Sequence, residues 1–113
     1  MTQTGARSVG RLRLQEAIAT AKNEGQRIVF ANGCFDVLHV GHVRYLEAAK
    51  ALGDLLIVAI NSDDQARRLK GEGRPLMPQD QRAEIVSALD AVDFVTIFDE
   101  PTVAELLLAL KPD

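Results

Sequence analysis

Apolar and polar residues come in blocks along this chain, and the spacing within each block separates helices from strands. Between residues 11 and 23, Leu12, Leu14, Ala17, Ile18 and Ala21 fall near helical spacing, and Gly25 stands where a helix C-terminal cap belongs. The stretch Arg27-Ile-Val-Phe-Ala-Asn32 is β-branched and aromatic and ends at Gly33, which predicts a buried strand with a sharp turn behind it. Val43, Leu46, Ala49 and Leu52 recur every third residue up to Gly53 and predict a second helix. Residues 55–60, LLIVAI, are apolar at every position, as a parallel strand covered on both faces requires. The polar stretch with Arg67, Arg68, Lys70, Gly71, Gly73, Arg74 and Pro75 predicts a loop after at most a short helix. Residues 78–89 read as a helix with Ile85, Val86 and Leu89 inward, residues 92–98 as a third strand, and a last helix runs from about Pro101 through Leu110. Strands alternating with helices at these spacings imply right-handed crossovers and a parallel α/β sheet.

Composition narrows the picture. With 113 residues and 47% hydrophobic content, the chain makes a single small domain, expected over residues 11–113 behind a frayed first ten residues. A net charge of -3 with mixed signs gives no long-range pull toward nucleic acid or an anionic membrane, so neither is expected as a partner and any phosphate needs a local site. No apolar run approaches the roughly 20 residues of a membrane span. The N-terminus lacks the features of a secretory leader, and the one cysteine cannot form an internal disulfide, so a soluble protein of the cytoplasm is expected.

Ligands of an open parallel sheet sit beyond the C-terminal strand ends, so the residues after the first strand carry the chemistry. They read Asn32-Gly-Cys-Phe-Asp-Val-Leu-His39-Val-Gly41-His42. Two imidazoles flank a glycine at the start of a helix, where backbone N–H groups and the helix dipole favour an anion. Gly41 admits a phosphate to the backbone without a Cβ in its way, and His39 and His42 can aim donors at the same phosphate. Zinc would need a third ligand at usable spacing, and none is evident apart from Asp36, so no metal site is expected. Cys34 has no second cysteine and reads as packing. Asp36 orients the loop or contacts substrate; Asp63 faces a sugar or caps the next helix.

The strings GCFDVLHVGH, RYLEAAKALGDLLIVAINSD, RLKGEGRP and QDQRAEIVSALDAVDFV, in that order, resemble the HxGH nucleotidyltransferase (cytidylyltransferase-like) family from about Arg27 to Asp113. Within it they are most similar to the adenylyltransferases that form ADP-heptose, which occur alone or fused behind a sugar kinase. The resemblance implies a Rossmann-like parallel sheet. It also implies transfer of AMP from ATP, with Mg²⁺, to D-glycero-β-D-manno-heptose 1-phosphate for lipopolysaccharide precursors. By analogy, His39 and His42 take α- and β-phosphate oxygens, Lys70 acts with them in catalysis, and Arg82 holds ATP phosphates. Asn32, Gly33, Phe35 and Gly41 lie along the nucleotide, and Asp36 and Asp63 on the acceptor. A cytidylyltransferase for glycerol phosphate or another small phosphate ester is the alternative, and an inactive nucleotide-binding or oligomerisation module the other.

In the family the first strand is central, flanked by the second and fourth. This chain ends at Leu110-Lys-Pro-Asp113, where the fourth strand and a later ISTTKI-like phosphate segment would follow. The expectation is an open first-strand edge that dimerises or aggregates, and weak turnover unless a partner completes the site.

Overall fold

The computed structural model describes residues 9–99. The expected last helix lies outside them. Seven elements follow one another: α1 (Arg11–Asn23), β1 (Ile28–Gly33), α2 (Val40–Lys50), β2 (Leu55–Asn61), α3 (Asp63–Lys70), α4 (Gln79–Ser87) and β3 (Phe94–Phe98). The strands form one parallel sheet in the order β1-β2-β3, with Ile28 opposite Leu55 and Ile57 opposite Phe94. Among the described residues β1 pairs with β2 alone, so it stands at the edge of this sheet.

β2 is central, and Leu56 to Ile60 are fully buried. Because strand side chains alternate, Ile57 and Ala59 pack with Leu14, Ile18 and Ala21 of α1, while Leu56, Val58 and Ile60 pack with Leu46 of α2 and Ala83 and Val86 of α4. Each face of the sheet thus carries its own apolar layer. This is the parallel α/β sheet that the strand–helix alternation predicts, in the Rossmann-like arrangement that the resemblance implies.

The ends of the elements follow local chemistry. α1 stops because Gly25, at φ 74, lets Gly25 N–H reach the Lys22 carbonyl at 3.0 Å and Gln26 N–H the Ala21 carbonyl at 2.9 Å. α3 begins at Ser62, whose hydroxyl accepts from Gln65 N–H at 3.2 Å, with Asp63 and Asp64 in its first turn and Arg67, Arg68 and Lys70 in its last, matching the helix dipole.

Four expectations need correction. Leu12 and Leu52 are 80% and 70% exposed, so each apolar stripe is narrower than its spacing suggested. Ile85 is 41% exposed, and α4 turns Arg82, Ala83, Val86 and Ser87 inward instead. Val9, assigned to a frayed end, donates its N–H to the Val95 carbonyl at 2.8 Å beside β3.

Candidate active site

The first strand delivers its chain into a loop that has little freedom. Phe35 takes a left-handed backbone at φ 52 and is buried at 5% exposure, its ring lying over Gly33, where an added Cβ would be 3.0 Å from it. A non-glycine residue held there costs about 1 kcal/mol, repaid here by burial of the ring in the core under α2 and α4. The turn sets up the start of α2.

That start is a reciprocal cap made by two histidines. Gly41 N–H donates to His39 Nδ1 at 3.0 Å, and His39 N–H donates to His42 Nδ1 at 3.2 Å. A ring nitrogen that accepts a hydrogen bond carries no proton, so each neutral imidazole keeps its proton on Nε2. The backbone therefore sets both tautomers, and each ring offers one Nε2–H donor. The rings lie 4.2 Å apart between centroids, and His42 also meets the Phe35 ring at 5.4 Å. His42 is held below its ordinary pKa, first by burial and then by His39 and Lys70.

Both histidines line an open cleft of about 510 Å³ above the C-terminal end of β1, together with Asn32, Gly33 and Phe35. Lys70, the last residue of α3, reaches the same cleft. With Asp36, which also lines it, the cleft brings together seven of the residues expected at the site. Gly41 is not among the lining residues: its N–H belongs to His39, and a Cβ on it would stand 2.7 Å from His39 Cε1. The glycine makes room for the imidazole, in place of the phosphate approach expected of it.

Arg82 and Asp63 have roles other than those expected, and Asp36 takes one of its two expected roles, orienting the loop. Arg82, expected on ATP phosphates, is wholly buried. Its Nε donates to the Met77 carbonyl at 3.0 Å, and one terminal nitrogen donates to the Cys34 and Asn61 carbonyls at 2.6 and 2.8 Å. The other donates to Asp63 Oδ1 at 2.8 Å. It is the internal tie between the loops after β1 and β2 and the start of α4. Asp63, expected on the acceptor, lies on Arg82 and does not line the cleft, and the α3 cap is Ser62. Asp36, also expected on the acceptor, borders the cleft, but its buried carboxylate is taken by Arg74 Nε and by the N–H groups of Leu76 and Met77. Burial pushes its pKa up, and those two backbone donors and the Arg74 guanidinium outweigh that, holding it below the usual carboxylate value.

Tyr45 also lines the cleft and was not singled out by sequence; its place three residues after His42, on the same helical face, is the signal that could have found it. Cys34 borders the cleft too, half-buried and with a free thiol. No group of three or more His, Cys, Asp or Glu side chains among the described residues is placed to hold a metal. Nor is any helix among them long and apolar enough to cross a membrane.

Comparison with known proteins agrees with this fold. A crystal structure of the lipopolysaccharide core biosynthesis protein from Thermoplasma volcanium GSS1 superposes with a TM-score of 0.72 at 35% identity, over 79% of this chain and 71% of that one. The bifunctional protein HldE of Trichlorobacter lovleyi is 54% identical over 99 residues, which are 88% of this chain and 20% of that protein. HldE of Geobacter sulfurreducens is 56% identical over 95 residues, 84% of this chain and 19% of that protein. The chain spans about a fifth of the length of these relatives. Residues 30–113 match the Cytidylyltransferase-like family, and the chain belongs to that family.

Proposed function

We propose that this chain is a nucleotidyltransferase that moves AMP from ATP to D-glycero-β-D-manno-heptose 1-phosphate and releases pyrophosphate. The observation that carries this reading is the paired histidine cap, which supplies two fixed Nε2–H donors at the edge of a cleft that Lys70 also enters. The similarity to HldE proteins and to a lipopolysaccharide core biosynthesis protein supports the choice of acceptor.

The chemistry asks little covalent work of the protein. An oxygen of the acceptor phosphate attacks the α-phosphorus of ATP in line, the bond from that phosphorus to the bridging oxygen breaks, and pyrophosphate leaves with the electron pair. No side chain becomes acylated or phosphorylated, so the rate depends on positioning and on stabilising charge at the crowded α-phosphate. Neutral imidazoles with Nε2–H donors do this without a proton changing hands, and Lys70 adds a full positive charge beside them. Asn32, Gly33 and Phe35 form the floor along which the nucleotide lies. Mg²⁺ enters on the triphosphate as part of the substrate.

Pyrophosphate release tests the reading. It should require both ATP and the heptose 1-phosphate, and CTP should not replace ATP. Turnover with CTP and glycerol phosphate in place of these substrates would transfer the assignment to a cytidylyltransferase.

A further inference from the structure

The cleft has a second cationic feature that the transfer chemistry above leaves unused. Residues 71–78 form a strap between α3 and α4. Gly71 and Gly73, at φ 98 and 85, have open space where a Cβ would be, and the Gly71 N–H closes α3 on the Arg67 carbonyl at 2.8 Å. Its middle is anchored on one buried carboxylate, Asp36, whose Oδ1 accepts from Leu76 N–H at 2.8 Å and Met77 N–H at 3.0 Å. The same carboxylate accepts from Arg74 Nε at 2.5 Å.

That contact leaves most of the guanidinium unused. A guanidinium has five N–H donors and can engage a carboxylate through two parallel bonds. Here Asp36 takes only the Nε edge. Among the described residues the terminal nitrogens of Arg74 make no hydrogen bond, although the side chain is only 33% exposed and borders the cleft. Among the described residues Asp36 is also the only acidic one lining the cleft, and Arg74 neutralises it, so Lys70 leaves that lining positive on a chain whose net charge is -3.

We propose that Arg74 is a phosphate fork: pinned to Asp36 by its Nε, it presents its two terminal NH₂ groups to the phosphate monoester of the acceptor. The identification of that phosphate as the acceptor's rests on the nucleotidyl-transfer reading. Two polyanions must meet in one cleft, and with the histidines and Lys70 assigned to the triphosphate, the planar fork on the strap is the cation left for the second anion. A fork matches two oxygens of a terminal phosphate, which an ammonium does not. The pin matters because an arginine already held on one edge loses little rotamer freedom on binding.

Titration calorimetry with inorganic phosphate, and separately with the heptose 1-phosphate, tests this on the whole chain with a non-hydrolysable α,β-methylene ATP present. The expected result is binding that persists beside the ATP analogue and weakens at least about tenfold in Arg74→Ala, as loss of a charged hydrogen-bond pair implies. Arg74→Lys keeps a counter-charge for Asp36, and so the fold, but lacks the fork; it should also bind phosphate several-fold more weakly at an unchanged melting temperature. Phosphate affinity equal to wild type in the folded Arg74→Lys and Arg74→Ala proteins overturns the proposal, as does phosphate binding abolished by the ATP analogue. Arg74-dependent phosphate binding without pyrophosphate release from ATP and the heptose 1-phosphate would retain the fork and remove the proposed reaction.

Discussion

An aspartate at each end of the sheet gathers the same kinds of partner. At the N-terminal end Asp93 accepts from Leu56 N–H at 2.7 Å and from Lys50 Nζ at 2.7 Å, tying α2 to β2 and β3. At the C-terminal end Asp36 accepts from two strap N–H groups and from Arg74. The difference lies in the cation. Lys50 divides itself between Asp93 and the Asp54 carbonyl at 2.6 Å, and it does not line the cleft that Arg74 borders. Arg74 meets its carboxylate by one edge and faces open space with the rest. A carboxylate–cation pair is therefore structural or functional according to which donors it leaves unused and what they border.

The largest effect expected on this contrast is at the C-terminal end. His42→Ala should lower the rate of pyrophosphate release by roughly 10²- to 10³-fold, as removal of a transition-state donor does, while the fold survives in circular dichroism. A rate within a few-fold of wild type would mean the paired cap is only a helix start. Next comes Arg82→Met, which leaves the Cys34, Asn61 and Met77 carbonyls without their donor and Asp63 without its cation. Urea unfolding should show a loss of about 3 kcal/mol. A loss below about 1 kcal/mol, the scale of an exposed pair, would show that the loops around the cleft are held by something else.

Lys50→Ala sharpens the comparison from the other end. Its ion pair with Asp93 is about one-third exposed on each side, so the stability loss should be about 1 kcal/mol and the rate of pyrophosphate release unchanged. A tenfold fall in rate would break the distinction drawn between the two ends.

The smallest effect is a displacement along the pH axis. His42 is depressed below 6.5, so between its folded value and 6.5 the unfolded chain binds a proton that the folded chain does not. Its contribution to stability is complete above 6.5 and is lost as pH falls from there through the folded value, and activity that needs the neutral ring falls in the same direction. Lys70→Ala removes one of the charges that oppose protonation, so the His42 pKa should rise and the acid limb should move to higher pH. An imidazole titration by NMR that shows no rise would place Lys70 away from the ring.

Much of the fold was legible because it is local. The α1 span of residues 11–23 follows from spacing and Gly25, and the unbroken apolar run of β2 announces a central parallel strand. The site loop was legible because its glycine and histidines are adjacent in sequence. What sequence hides is long-range polar pairing. Arg82 meets Cys34 across 48 positions and Asp36 meets Arg74 across 38, and neither contact leaves a periodic trace. Periodicity counts apolar residues, so it turned Ile85 inward and left out Arg82, the charged residue on the true inner face of α4. Gly41 was read as room for a ligand because the ring that fills the space belongs to a residue whose rotamer only the folded cap determines.

The paired histidine cap has one more consequence. The bonds that start α2 are the same bonds that fix which nitrogen of each ring holds a proton, so helix nucleation and active-site readiness are one equilibrium. Acid that protonates His42 Nδ1 removes the acceptor of the His39 N–H and so loosens the first turn of α2 together with the ring's position, and the exchange rate of the His39 amide hydrogen is a direct gauge of how often the site is assembled.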